Sequence, residues 1–188
     1  MALLSSRSGD AEPDHRAVAL IKPDDLLRHA QRLLIEKCPT QADLRRSVSA
    51  SYYGLFHLFV QSGTAYFFGK EATALSTRVT RTFDHRTMKE TCKLFRDPEG
   101  KVPPRIAGLI SAPIYKPLTV AAQTFVDLQE ARHRADYDPV HDYTLDEASQ
   151  IWARAAVVAD WWDDISSSPR TTAFFALLLF GDKLTRNG

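Results

Sequence analysis

Cysteine is nearly absent. Cys38 and Cys92 are the only two in 188 residues, far below the density of a small secreted disulfide scaffold. No C-x-x-C pair occurs, which removes zinc-finger and thioredoxin-type readings. Charge of one sign is missing too. Lys plus Arg number 24 against 23 Asp plus Glu, a formal balance of +1. That is too even for a protein that wraps nucleic acid by bulk charge, so phosphate binding has to come from local clusters. The longest apolar run, Ala173 to Phe180, falls well short of the ~18 residues of a membrane span. The opening segment, Met1 to Asp14, holds Ser5, Arg7, Asp10, Glu12 and Pro13. It lacks the apolar stretch of a signal peptide and reads as a flexible lead. These absences predict a soluble, cytoplasmic protein with no membrane partner.

The familiar catalytic signatures are absent as well. G-x-x-x-x-G-K-[ST], G-x-G-x-x-G, G-x-S-x-G and H-E-x-x-H do not occur, which removes the usual support for nucleoside-triphosphatase, dinucleotide, serine-hydrolase and zinc-protease readings.

What is present is a helical pattern. Hydrophobic residues make up 44% of the chain and only 8 Gly and 10 Pro punctuate it, enough apolar matter for one domain with its own core. Pro23, Asp24 and Asp25 suit the start of a helix that runs to about Lys37, with Leu26, Leu27, Ala30, Leu33 and Leu34 on one face. Thr40 followed by Asp43 marks the start of a second helix. Its apolar residues Leu44, Val48, Tyr52, Leu55, Phe56, Phe59 and Val60 cover most of its circumference, so it should be central.

Residues 70–83 are open between a loop and a short helix. A third helix is expected from Asp84 to Phe95. The proline-rich stretch Arg96 to Pro117 is a connection with at most a helical turn near Ile106 to Ile110. A fourth helix is expected from about Leu118 to Arg134. The box of Thr144 and Glu147 starts a fifth that runs to about Ile165, and Arg170 to Phe180 form a short apolar last helix. The fold class is all-α. The organisation is a flexible lead over 1–22, an antiparallel up-and-down bundle of four or five helices over 23–165, and a C-terminal apolar helix and tail over 166–188.

Three groups of residues could do chemistry. On the second helix stand Arg45, Arg46, Ser49, Ser51, Tyr52, Tyr53 and His57, with Tyr53 and His57 four apart and Arg46 and Ser49 three apart, each pair on one face. They make either a satisfied polar part of the core or a pocket between helices. At the end of the fourth helix, Arg132, His133 and Arg134 are followed by Asp136, Tyr137, Asp138, Pro139 and His141. Cations there are favoured by the helix-end carbonyls alone. A guanidinium that grips phosphate beside an imidazole that titrates near neutrality also suits phosphodiester chemistry. Asp136, Asp138, Asp142 and His141 lack the glycine and distal glutamate of a calcium loop, so turn and capping roles are expected and no metal site is assigned. The third group, Arg78, Arg81, His85, Arg86, Lys89 and Lys93, is a solvated basic face or an RNA-backbone contact.

The run Arg45-Arg46-Ser47-Val48-Ser49-Ala50-Ser51-Tyr52-Tyr53-Gly54-Leu55-Phe56-His57, with the later Arg134-Ala135-Asp136-Tyr137 ahead of a capped helix, resembles the two signatures of HEPN domains (higher eukaryotes and prokaryotes nucleotide-binding). The likeness spans about residues 23–165. It implies a helical bundle that is usually a homodimer, and often a metal-independent endoribonuclease of toxin–antitoxin or other defence systems. Its active site is an Arg and a His with four to six residues between them, which Arg134 and His141 match with six between. The expected function is therefore RNA or nucleotide interaction, with no cofactor and with an antitoxin-type protein as a further partner. Arg134 would hold the phosphate and His141 would move the proton. Arg132, His133, Arg46, Tyr53, His57, Asp136 and Tyr137 are the candidates for holding substrate. The alternative is a non-catalytic interaction module. Its motive is the apolar tail around Phe174, Phe175 and Leu177 to Phe180, which either seals the bundle or forms an oligomer seam.

Overall fold

The structure is a computed structural model that describes residues 21–71, 73–97, 107–110 and 113–186, without the side chains of 182 and 184–186. The expected lead up to residue 20, most of the proline-rich connection and the expected turn at Ile106 lie outside the described residues. Among the described residues there are seven α-helices and no strand.

Local chemistry explains most helix ends. Helix α1, Pro23–Leu34, has its proline in the first turn beside Asp24 and Asp25, and buries Leu27, Ala30 and Leu34. It stops three residues short of the expected Lys37. Ile35 to Cys38 turn outward to solvent, and the residue before Pro39 is sterically kept out of helical geometry. Helix α2, Gln41–Phe68, begins with a full capping box: Thr40 N–H donates to Asp43 Oδ2 at 2.8 Å and Asp43 N–H returns a bond to Thr40 Oγ1 at 3.3 Å. It ends at Gly69, whose φ of 81° lies in the region that favours glycine.

The 70–83 stretch contains a short helix, α3, Ala74–Thr80, capped by Thr73. Helix α4, His85–Phe95, is capped by Asp84, which accepts from the N–H groups of Arg86 and Thr87. Helix α5 spans Lys116–Tyr137, two residues earlier and three later than its expected limits. Pro117 fits its first turn, and the basic run that suggested an end at Arg134 lies inside the last turns. Helix α6, Leu145–Ser167, starts on the Thr144–Glu147 box. A 3₁₀ turn, Pro169–Thr171, leads into α7, Thr172–Arg186.

Helices α1, α2, α5 and α6 form an up-down-up-down bundle. Ser47 Oγ donates to the carbonyl of Ala30 at 3.0 Å while Gly54 packs on Leu27, so α1 runs against α2. Residues 49 and 53 of α2 meet 136 and 132 of α5, again antiparallel. Arg154 of α6 pairs with Asp127 of α5 at 3.0 Å, and Trp152 Nε1 donates to the carbonyl of Leu27 at 3.1 Å. In the core, the Phe59 ring stacks on Trp162 at 4.4 Å and on Phe125 at 5.2 Å, with Phe174 edge-on at 5.6 Å. Helix α4 packs on α5, and α7 packs on α4, where Thr91 Oγ1 donates to the Leu177 carbonyl at 3.1 Å.

Phe174, Phe175, Leu177 and Leu178 are buried in the same core as the bundle. Of the two roles open to this last segment, these side chains take the sealing one. Among the described apolar side chains of this segment, Phe180 is the one that remains substantially exposed.

The close approach of α1 to α2 depends on Gly54. A Cβ there would stand 2.7 Å from Leu27 Cδ2 and 2.8 Å from Leu27 Cγ. Helix propensity alone favours alanine by about 1 kcal/mol, but overpacking typically costs about 1–3 kcal/mol. Gly54→Ala is therefore expected to lower stability by up to about 2 kcal/mol in urea unfolding. A stabilised variant would show that Leu27 moves aside freely.

Candidate functional site

Arg45, Ser49, Tyr53 and His57 follow one another at four-residue spacing, which lines them along one face of α2 over ~18 Å. The last turns of α5 and the start of α4 face that stripe, and Arg45, Ser49 and Tyr53 meet hydrogen-bond partners on α5 or the connection that follows it.

At the lower end, Arg45 reaches across to the α5–α6 connection. Its Nη1 donates to the carbonyls of Ala135 at 3.0 Å and Asp138 at 2.8 Å, and Nη2 donates to the carbonyl of His141. Gln41 bonds both ways with the Tyr143 backbone, at 2.7 Å and 2.9 Å. Asp138 Oδ1 accepts from the N–H groups of Val140 and His141, an Asx-type turn around Pro139. The connection is thus held from both sides.

Arg134 and His141 both meet Tyr143 on this frame. The Arg134 guanidinium sits against the Tyr143 hydroxyl, which donates to the Ala131 carbonyl at 2.8 Å. The His141 ring stands edge-on to the Tyr143 ring at 4.6 Å and 85°. Glu147 lies nearby. Its carboxyl is held below the usual range first by the N–H and hydroxyl of Thr144, then by the charges of His141 and Arg134. Neither nitrogen of the His141 ring has a hydrogen-bond partner among the described residues, and the side chain is half-buried.

A second cluster sits one turn up. Arg132 Nη2 donates to the Tyr53 hydroxyl at 2.8 Å. Its Nε lies 2.7 Å from Asp136 Oδ2, a charge contact off the hydrogen-bond axis. Asp136 Oδ1 accepts from Ser49 Oγ at 2.7 Å. Burial opposes the Arg132 charge, but Tyr53, Asp136 and Tyr137 together outweigh it and hold the guanidinium protonated beyond its ordinary range. Asp136 is thereby committed to Arg132 and Ser49, and Asp138 to its turn. Among the described residues no group of three or more His, Cys, Asp and Glu could hold a metal ion.

At the upper end, His85 Nδ1 is 2.6 Å from the hydroxyl of Tyr52, whose ring is wholly buried. Burial pushes the Tyr52 hydroxyl well up from its ordinary range. The His85 ring packs 4.3 Å from Phe56, and Gln129 donates to the His85 carbonyl at 3.0 Å. His57 is edge-on to Phe56 at 5.3 Å.

The structure therefore brings Arg134 and His141 each to Tyr143, and Arg132 to Tyr53, Asp136 and Tyr137. His133 leans on Tyr137 on the outer face of α5 with ring centroids 5.1 Å apart. Arg46 is not part of either cluster: it is exposed and has no hydrogen bond or ion pair among the described residues. Its neighbour Arg45 takes the role instead, and Ser49, Tyr143 and His85 complete the set. The sequence held a signal for two of these. Arg45 and Ser49 fall on the same four-residue stripe as Tyr53 and His57, whereas Arg46 does not. His85 stood in the basic group from Arg78 to Lys93 but is placed here by Tyr52 rather than by a phosphate-facing surface, and nothing local marks Tyr143, whose backbone partner, the Gln41 side chain, is distant in the chain.

Comparison with known proteins finds no family model, no curated protein and no solved structure that matches this chain. Among the described residues no helix is long and apolar enough to cross a membrane.

Two predictions test this arrangement. Replacing Arg45 by Met keeps most of its bulk and removes donors from three carbonyls. Hydrogen bonds from a charged group are worth about 1.5–3 kcal/mol, so the variant should lose about 2 kcal/mol in urea unfolding. Arg46→Met should stay within about 0.5 kcal/mol of wild type. Equal losses at both positions would remove the clamp.

The histidines predict a pH dependence. Burial, and then His85, holds His57 below its ordinary value of 6.5; burial and Arg132 lower His85, partly offset by Asp84. The folded chain prefers both rings neutral, so the unfolded chain binds more protons below pH ~6.5 and stability falls as pH drops. Replacing both by Gln should flatten the stability slope between pH ~6.5 and ~5. An unchanged slope would assign it to other groups.

Proposed function

We propose that the protein is a HEPN-type RNA- or nucleotide-interacting bundle that cleaves RNA without a metal ion, working as a homodimer in a toxin–antitoxin or other defence setting. One observation supports this most. Two residues on either side of a proline bend, seven positions apart in the chain, gather around the same tyrosine and the same carboxylate. The guanidinium of Arg134 offers paired donors for the non-bridging oxygens of a phosphodiester. The imidazole of His141 is a group that can take up and give back a proton.

In this reading the ribose 2′-hydroxyl attacks the adjacent phosphorus. A new P–O2′ bond forms, the P–O5′ bond breaks, and a cyclic phosphate is left. His141 takes the hydroxyl proton or returns one to the departing oxygen, and Arg134 stabilises the charge that grows on phosphorus. Tyr143 backs the ring, and the Arg45 clamp fixes the backbone that bears it. Arg132, with Tyr53, Asp136 and His133 beside it, lies one turn along for binding a neighbouring part of the strand.

The test is cleavage of a labelled RNA in excess chelator. General acid–base groups contribute about 10²–10⁴-fold, so His141→Ala should slow cleavage at least ~100-fold. Arg134→Lys should lose most of the rate too, because an ammonium cannot reproduce the planar fork. Equal rates for wild type and His141→Ala would end the nuclease assignment.

A further inference from the structure

Tyr137 closes α5 with its side chain 63% exposed, yet one face of its ring is covered. The Arg132 guanidinium carbon lies 5.4 Å from the Tyr137 centroid and 5.5 Å from that of Tyr53. The guanidinium therefore lies over two aromatic rings at once, one half-buried and one facing solvent. It has little freedom to leave, since Tyr53 and Asp136 hold it at 2.8 Å and 2.7 Å and Ser49 holds Asp136 at 2.7 Å. His133 leans on Tyr137 at a 49° tilt. A lone solvent-facing tyrosine is ordinary on any protein surface and asks for no role. This one is different in being fixed by a guanidinium that is itself fixed twice over, so the entropy of ordering a flexible ring is already met.

Position adds the second element. Arg134 is three residues before Tyr137 on the same helix, and such neighbours have Cβ atoms about 5–6 Å apart. A flat apolar surface thus stands beside the guanidinium assigned to the phosphate. A nucleobase is the group that presents a flat π-face at one sugar's remove from a phosphate, and single-stranded RNA presents such bases unpaired. A cation behind the ring favours the stack further.

We propose that the outer face of Tyr137 is a stacking shelf for one unpaired base of single-stranded RNA, the base whose flanking phosphate lies at Arg134. This rests on the RNA reading above and adds what that reading leaves out: a contact to a base rather than to the backbone. Because every base has a π-face, the shelf accepts any of them and confers preference for unpaired over paired strands, not for sequence.

The experiment uses the full chain and two fluorescent probes that cannot be cleaved: a 2′-O-methyl oligoadenosine and an abasic strand with the same number of phosphates. Wild type should bind the base-bearing strand about tenfold more tightly. Tyr137→Ala should bind it only as well as the abasic strand while its affinity for the abasic strand stays unchanged. Tyr137→Phe should keep the wild-type preference. Matching thermal midpoints would show that the variants fold. A preference that survives in Tyr137→Ala, or equal binding of both strands by wild type, overturns the shelf and leaves the RNA reading standing. Binding of neither strand at low salt overturns both.

Discussion

The carbonyls of Ala135, Asp138 and His141 lie where a long helix ends and the chain doubles back around a proline. Such acceptors need donors, and a helix end inside a packed structure has few to offer. The Arg45 guanidinium supplies them from the neighbouring helix. Together with the Asp138 turn, that clamp sets the course of the backbone from α5 into α6, and with it the position of His141 against Tyr143. Gln41, one turn earlier on α2, fixes the strand beyond it.

Helix α2 accordingly has two jobs on one cylinder. Val48, Leu55 and Phe59 enter the core where the Phe59 ring lies between Trp162 and Phe125. A different face, with Arg45, Ser49, Tyr53 and His57, builds the polar seam against α5 and α4. Tyr52 joins the two: its ring is fully buried, and its hydroxyl meets His85 at the surface. The seam is polar but well paired, which is how charged and hydroxyl groups are tolerated beside a close-packed core.

The helices were legible in the sequence because their signals are local. Thr40 with Asp43, Thr144 with Glu147, and Asp84 each cap a helix from within a few residues, and all three helices begin where those residues say. The end of α5 was less legible. Basic residues at Arg132 to Arg134 look like a last turn, but the helix continues to Tyr137, because Pro139 constrains only the residue before it and so permits helix up to that point. The site was legible in part. The spacing of Arg134 and His141 pointed to a shared location, whereas the choice between Arg45 and Arg46 turned on which of two adjacent side chains faces α5. His85 joined the seam through Tyr52, which is 33 residues away, a relation that only tertiary packing creates.

The acceptors of Arg45 are 90, 93 and 96 positions further along the chain. Helices nucleate on nearby residues, whereas contacts at such separation wait until a long loop closes, at a cost in chain entropy that only the growing core offsets. During synthesis the stretch around Arg134 can coil up well before the first turns of α2 have docked on it, and the imidazole downstream has no defined address until they do. A nascent or half-assembled chain therefore holds Arg134 and His141 without the arrangement that the finished bundle gives them.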